Sequence, residues 1–332
     1  MNSSIVLLPN WIGDMLLALS MVMRLPESRR SKTTLLVPEQ MSSLVGMLCD
    51  LPRIEYSRST AQSRRDTVAA VRNGGFETIY LLPFSFSSAW FAMQSRVPVR
   101  RGVSREMRRF LLTDPLSRDA INSNNEKQHH ITHEYADILD MPFCPPEEWN
   151  GKGVEPDKSY AGSIVYCPGA SYGPAKKWPH FPSLALLQER YKIVILGSSD
   201  DGESAREIVR MAPERITDLT GKTSLQEVAA IMSSARGVVS NDSGLMHLAG
   251  YIGTPVIGLF GSTSPVWTRP LGKRSIAMYL PEPCSPCFDK TCRYNHYRCL
   301  GKITPEAVRE AMDNVCASSA IPSLSIPTSV PA

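Results

Sequence analysis

Short apolar runs alternate with stretches of helical periodicity along this chain, and the alternation runs through it twice. In the first half, residues 5–8 read as a buried strand. Residues 9–14 read as a turn, and a helix opens at Met15 with Leu16, Leu19, Val22 and Met23 on its apolar face. Strands over 33–37, 54–56 and 78–82 follow, spaced by helices over 41–48, 62–72 and 85–94. This rhythm predicts a parallel sheet flanked by helices.

Residues 141–156 are rich in proline and glycine and read as a connection between two domains. The pattern then starts afresh. Strands are predicted over 164–167, 192–196, 237–240 and 256–260. Helices are predicted over 181–191, 225–232 and 305–315, and another from 203 to Met211. Thr304 is the expected cap of the last helix. The predicted domains are 1–150 and 151–316, followed by a Ser- and Pro-rich tail, 317–332, expected to be disordered.

Candidate chemistry gathers at the strand ends. Asn241-Asp242-Ser243-Gly244 is a turn of helix-capping residues between a strand and a helix bearing Leu245, Leu248, Ala249 and Ile252 at helical spacing. Amides at a helix start bind anions, and open α/β sheets place ligands at the carboxyl ends of strands. The turn therefore points to a phosphorylated small molecule, a nucleotide derivative, against the plainer alternative of a well-capped βαβ unit. The loop 168–179, PGASYGPAKKWP, can present amides, a hydroxyl and an ammonium to a diphosphate. Asp14, just after Gly13, reads either as a general base over a cleft or as a carboxylate complementing a helix dipole. Glu203 or a neighbouring aspartate follows a strand where a ribose contact is common. Gly221-Lys222-Thr223 resembles the end of a Walker loop, but Ile216 stands where its first glycine belongs. No G-x-G-x-x-G follows the first strand, which weakens a nicotinamide enzyme.

Composition narrows the classes. The chain has 332 residues, of which 42% are hydrophobic, enough for two ordinary domains. Its apolar runs are far shorter than a bilayer span, and its start lacks the pattern of a secretory signal, so a cytoplasmic protein is expected. A net charge of +4 does not suggest a nucleic-acid binder. Arg100, Arg101, Arg105, Arg108 and Arg109 form a basic stretch, either a solvated face or a phosphate and carboxylate reader. Residues 117–128 read as a polar surface loop. His129, His130 and His133 read as a helix start rather than a metal set. Four of the eight cysteines, Cys284, Cys287, Cys292 and Cys299, cluster around His296. Reduced thiols are expected there, with structural zinc as the alternative.

Taken together, residues 10–15 (NWIGDM), 168–179 and 241–247 (NDSGLMH) resemble glycosyltransferase family nine, within it the ADP-heptose:lipopolysaccharide heptosyltransferase II branch. The basic stretch through Arg108 and the cysteine region to Cys299 match in type and order, so the resemblance spans about residues 4–315. It implies an α/β, GT-B fold: two facing Rossmann-like domains with the active site in the cleft. It also implies inverting transfer of L-glycero-D-manno-heptose from ADP-heptose to the heptose of the lipopolysaccharide inner core, with no cofactor and no catalytic metal. By residue it implies Asp14 as the base and Lys176 neutralising the departing ADP. Ser171, Glu203, Asp242, Ser243, Gly244 and His247 lie on the donor side. Arg100, Arg101, Arg105 and Arg108 lie toward the anionic acceptor. Peripheral contact with the inner face of the inner membrane fits a lipid acceptor. Rival expectations are another family member with a different acceptor or nucleotide sugar, a nucleotide-sugar epimerase of the same fold, a non-catalytic binding protein, and a zinc-stabilised interaction module.

Overall fold

The computed structural model describes residues 3–57, 59–117 and 129–317. The chain divides into two compact units. The first runs to Pro145 and takes in Val266–Thr268; the second holds Pro146–Pro265 and the chain from Arg269.

The first unit is built on six strands: β1 (Ser4–Leu7), β2 (Thr33–Pro38), β3 (Arg53–Tyr56), β4 (Thr78–Leu81), β5 (Val99–Val103) and β6 (Asp114–Leu116). They lie in the order β3-β2-β1-β4-β5-β6, and every pairing is parallel. Residues of β1, β2 and β4 with no polar partner to offer, Ile5, Leu7, Leu36, Ile79 and Leu81, pack against Val71, Ala89 and Ala92 of helices Ala61–Asn73 and Phe86–Gln94. Helix Ile12–Met23 buries Met15 through Val22. A parallel sheet covered on both faces makes its central strands read as unbroken apolar runs.

The second unit repeats the plan with β7 (Ile164–Cys167), β8 (Ile193–Ile195), β9 (Ile216–Asp218), β10 (Gly237–Asn241), β11 (Val256–Phe260) and β12 (Ser275–Tyr279). The order is β12-β11-β10-β7-β8-β9, again all parallel. In each sheet the first strand lies in the middle, the next two wind one way and the last three the other. The crevices at these reversals, between β1 and β4 and between β7 and β10, are where doubly wound sheets bind ligands.

The differences from expectation fall at edges and ends. The periodicity does not reveal β6, β9 and β12, and β5 reads there only as charge. These strands are short or only half-buried, so the alternation that marks a buried strand is missing. Pro115 is tolerated in β6 because that strand is an edge. The helix expected over 181–191 ends at Leu187, where the Gln188 carbonyl turns out to accept from the Arg215 guanidinium at 2.5 Å. The helix expected at Met15 begins at Ile12, which puts Asp14 in its first turn. The loop read at 117–128 and the tail read at 317–332 fall outside the described residues, save Ser117 and Ala317.

Candidate functional site

In the second unit, the residues singled out in the sequence meet at the carboxyl ends of β7 and β10. Asn241 ends β10 fully buried. Its side-chain amide donates to the Pro168 carbonyl at 2.6 Å, and its side-chain oxygen accepts from the Trp178 amide at 3.0 Å. One asparagine thus clamps both ends of the loop that follows β7. The Trp178 indole N–H donates to the Ile303 carbonyl at 2.9 Å, and its ring stands edge-on to Phe181, which ties the loop to the core. Gly173 adopts φ +146°, and a Cβ there would meet the Lys290 carbonyl oxygen at 2.5 Å, so no other residue fits that bend.

Held this way, the loop aims Lys176 at the helix start. Its ammonium donates to Asp242 Oδ2 at 2.6 Å, and the Thr263 hydroxyl donates to the same oxygen at 2.5 Å. The Asp242 side chain is 5% exposed and that of Lys176 14%. In so dry a setting an ion pair persists only with added hydrogen bonds, and Thr263 supplies one. The Lys176 ammonium also lies 4.9 Å from the centre of the Tyr172 ring, whose hydroxyl donates to the Phe288 carbonyl.

The next residue, Ser243, is the N-cap of helix Gly244–Ile252, but its side chain makes no capping bond. Its hydroxyl lies instead 3.2 Å from that of Ser240. The amides of this first turn have no capping bond from the Ser243 side chain and form a fixed partial positive charge beside Lys176 and Asp242. His247, one turn on, is buried, and its Nδ1 has no hydrogen-bond partner. Burial pushes its pKa down to about 4, against the pull of the Asp242 carboxylate, so its imidazole is neutral. The structure therefore brings together Lys176, Asp242, Ser243, Gly244 and His247. Ser171 and Glu203 are both exposed, Glu203 in the first turn of helix Gly202–Met211. The neighbouring Asp201 caps Ser198 through its amide and hydroxyl. The sequence reading places Asn241 in the capping turn rather than at the end of β10 and gives it no clamping role, and it passes over Thr263. Asn241 left a signal, a polar residue inside an apolar strand end; Thr263 left none.

In the first unit, Asp14 is half-buried in the first turn of helix Ile12–Met23. Tyr135, fully enclosed, lies in its field. Burial first, then the charges of Asp14 and Glu134, hold the phenol protonated well above its usual range. Phe84 stacks on Tyr135 at 6.2 Å, and the Arg105 guanidinium lies 4.8 Å above Phe84. Arg105 also pairs with Glu134 at 2.5 Å. Of the remaining arginines of the basic stretch, Arg109 is exposed, and Arg100, Arg101 and Arg108 turn inward. Arg100 donates to the Leu111 and Val97 carbonyls. Arg101 donates to Ile138 and Asp137 carbonyls and pairs with Asp114 at 2.5 Å. Arg108 corrects the reading of a phosphate-seeking side chain: it is fully buried and donates to the carbonyls of Val103, Pro83 and Ser85 and to the Ser88 hydroxyl. Burial lowers its pKa to about 10.

His130 is the N-cap of helix Ile131–Ile138, its ring accepting from the Thr132 amide. In the cysteine region, Cys292 Sγ lies 4.0 Å from His296 Nδ1. Among the described residues, no three His, Cys, Asp or Glu side chains are placed to hold a metal ion. Among them too, no helix is long and apolar enough to cross a membrane.

Known proteins resemble this chain in sequence and fold. Residues 64–298 match the family described as glycosyltransferase family 9 (heptosyltransferase). Lipopolysaccharide heptosyltransferase 2 of Escherichia coli K12 is 27% identical over 341 residues, covering 93% of this chain and 97% of that protein. Lipooligosaccharide heptosyltransferase 2 of Haemophilus influenzae is 27% identical over 345 residues, covering 93% and 98%. The solved structure of the E. coli ADP-heptose lps heptosyltransferase II superposes with a TM-score of 0.77 at 25% identity, over 95% of this chain and 98% of that one.

Proposed function

The chain belongs to glycosyltransferase family 9, and from that premise we propose that it moves L-glycero-D-manno-heptose from ADP-heptose to the heptose of the lipopolysaccharide inner core. The enzyme is a GT-B glycosyltransferase, and its relatives over nearly their whole length are heptosyltransferases 2. The observation that carries the donor side is the Lys176–Asp242 pair set against an uncapped helix start. An ammonium and free amides together receive a diphosphate. They gain most when negative charge builds on it as the sugar leaves, because they are already oriented.

The residue roles follow. Ser243 and Gly244 offer amides to the diphosphate, and Lys176 neutralises the departing ADP. Asp242, held by Thr263, accepts from sugar hydroxyls. His247, kept neutral by burial, backs the same turn without adding charge that would compete with Lys176. Ser171 and Glu203, both on the surface, are the outer donor contacts. Asp14 takes the proton of the acceptor hydroxyl as that oxygen forms its bond to the anomeric carbon, and the bond from that carbon to the diphosphate oxygen breaks on the opposite face. Attack from the far side inverts the anomeric centre. Arg105, beside Tyr135 and Phe84, draws the anionic acceptor. Arg100, Arg101 and Arg108 hold the scaffold on which it stands. The enzyme works on the cytoplasmic side, touching the inner membrane where the lipid acceptor resides.

The test is ADP release from ADP-heptose with a heptose-terminated core acceptor. Asp14→Asn is expected to lower turnover by roughly 10²–10⁴-fold while donor binding persists. A wild-type protein that binds ADP-heptose without acceptor-dependent release would move the question to the acceptor. One that does not bind ADP-heptose would sink the donor assignment.

A further inference from the structure

We infer that the face of the first unit made by helices Ala61–Asn73 and Phe86–Gln94 and the segment 106–110 is a docking surface for an anionic lipid bilayer. The inference rests on the reading above in one respect, that the acceptor is carried by a lipid.

Four large apolar side chains stand out on this face: Phe86 is 39% exposed, Trp90 45%, Phe110 73% and Met107 88%. Scattered exposed apolar residues need no account, but Phe86, Trp90 and Phe110 are joined, with Met107 in the same segment as Phe110. Phe86 stacks on Trp90 at 6.4 Å and packs against Phe110 at 6.2 Å. The Phe86 amide donates to the Glu106 carboxylate at 3.0 Å, which pins the 106–110 segment beside the helix start. Glu106 and Met107 both hold positive φ, so the chain bends there and carries Met107 outward.

Trp90 also lines a groove of about 730 Å³ along helix Ala61–Asn73, whose wall carries Arg64, Arg65, Arg72 and Arg96. Among the described residues none of these four guanidiniums is paired with a carboxylate. Arg64 and Arg72 donate to the backbone carbonyls of Thr60 and Gln94. The nearby carboxylates are engaged, Glu106 as above and Asp66 with the Gln62 amide at 2.7 Å. A joined set of aromatic rings beside unpaired arginines matches the interface of a membrane. Rings sit at headgroup depth there, and guanidiniums meet lipid phosphates. No described helix is fit to span a bilayer, so the contact is peripheral.

Sedimentation of the full chain with vesicles tests this. The wild type is expected to bind phosphatidylglycerol vesicles, to release as salt rises, and to ignore phosphatidylcholine vesicles. Trp90→Ser with Phe110→Ser, and separately Arg65→Glu with Arg96→Glu, should each weaken binding by roughly ten-fold or more, with melting temperature and ADP release on a soluble, deacylated acceptor unchanged. A wild type that stays in solution at low salt, or variants that bind as well as it does, would overturn the proposal. So would a concentration-dependent dimer that Trp90→Ser with Phe110→Ser dissolves, since a second copy would then cover the face. Vesicle binding needs no turnover, so a chain that binds vesicles without transferring heptose would remove the reaction and leave the surface.

Discussion

The Lys176 ammonium and the Asp242 carboxylate meet at 2.6 Å across a separation of 66 residues. The first ends a bend after β7 and the second opens the turn after β10, and Asn241 holds the two strand ends at the distance that lets them touch. The pair is the centre of the proposed donor side, and it can be probed from either partner.

Removing the cation from this pair should harm both stability and rate, by separable routes. Lys176→Met leaves a buried carboxylate with only its hydroxyl donor, at a cost of about 3 kcal/mol. Transfer should fall roughly 10²–10³-fold. Adding Asp242→Asn should restore most of the stability, as read by chemical denaturation, and none of the turnover. Recovery of both together would mean that the pair is structural alone.

Thr263 is expected to position rather than react. Thr263→Val deletes the hydrogen bond to Asp242 Oδ2 and should destabilise by about 1–2 kcal/mol, with a rise in the KM for donor. Thr263→Ser keeps the hydroxyl and should restore the donor KM. A Val variant with an unaltered donor KM would remove this role.

His247 predicts a pH dependence of stability. Its pKa falls from 6.5 in the unfolded chain to about 4 in the fold. Between those values the unfolded chain binds a proton that the fold refuses, so stability declines as pH drops from about 6.5 and levels off near 4. The full effect is on the order of 3 kcal/mol. Denaturation at pH 7 and pH 5 should show a smaller loss for His247→Leu than for the wild type. Equal losses would mean that the imidazole is accessible to protons in the fold.

Arg108 should behave as a core residue. Arg108→Met strands the carbonyls of Val103, Pro83 and Ser85, whose donors it removes, and should cost about 3 kcal/mol or more. The neighbouring Arg109, exposed, should tolerate Arg109→Met within about 0.5 kcal/mol. Equal melting temperatures for the two variants would contradict the burial described.

Much of this protein is visible along the chain itself. The central strands announce themselves because burial on both faces demands apolar side chains at every position, as in β7 and β11. The candidates Asp14, Lys176 and Asp242 can be picked out as well, because polar side chains placed at strand ends sit in short turns whose glycines, prolines and capping residues stand out locally. What lay hidden depends on contacts between distant segments. The edge strands β6, β9 and β12 exist because a neighbour lends them a hydrogen-bonding ladder, not because their own patterns require it. Thr263 reaches Asp242 from 21 residues away, and the inward turn of Arg100, Arg101 and Arg108 follows from carbonyls that strand packing presents to them. Charge in a sequence states only that a group must find a partner. Whether that partner is water, a ligand or the protein's own backbone is settled by which groups the fold brings within about 3 Å, and that distance is a property of the tertiary structure alone.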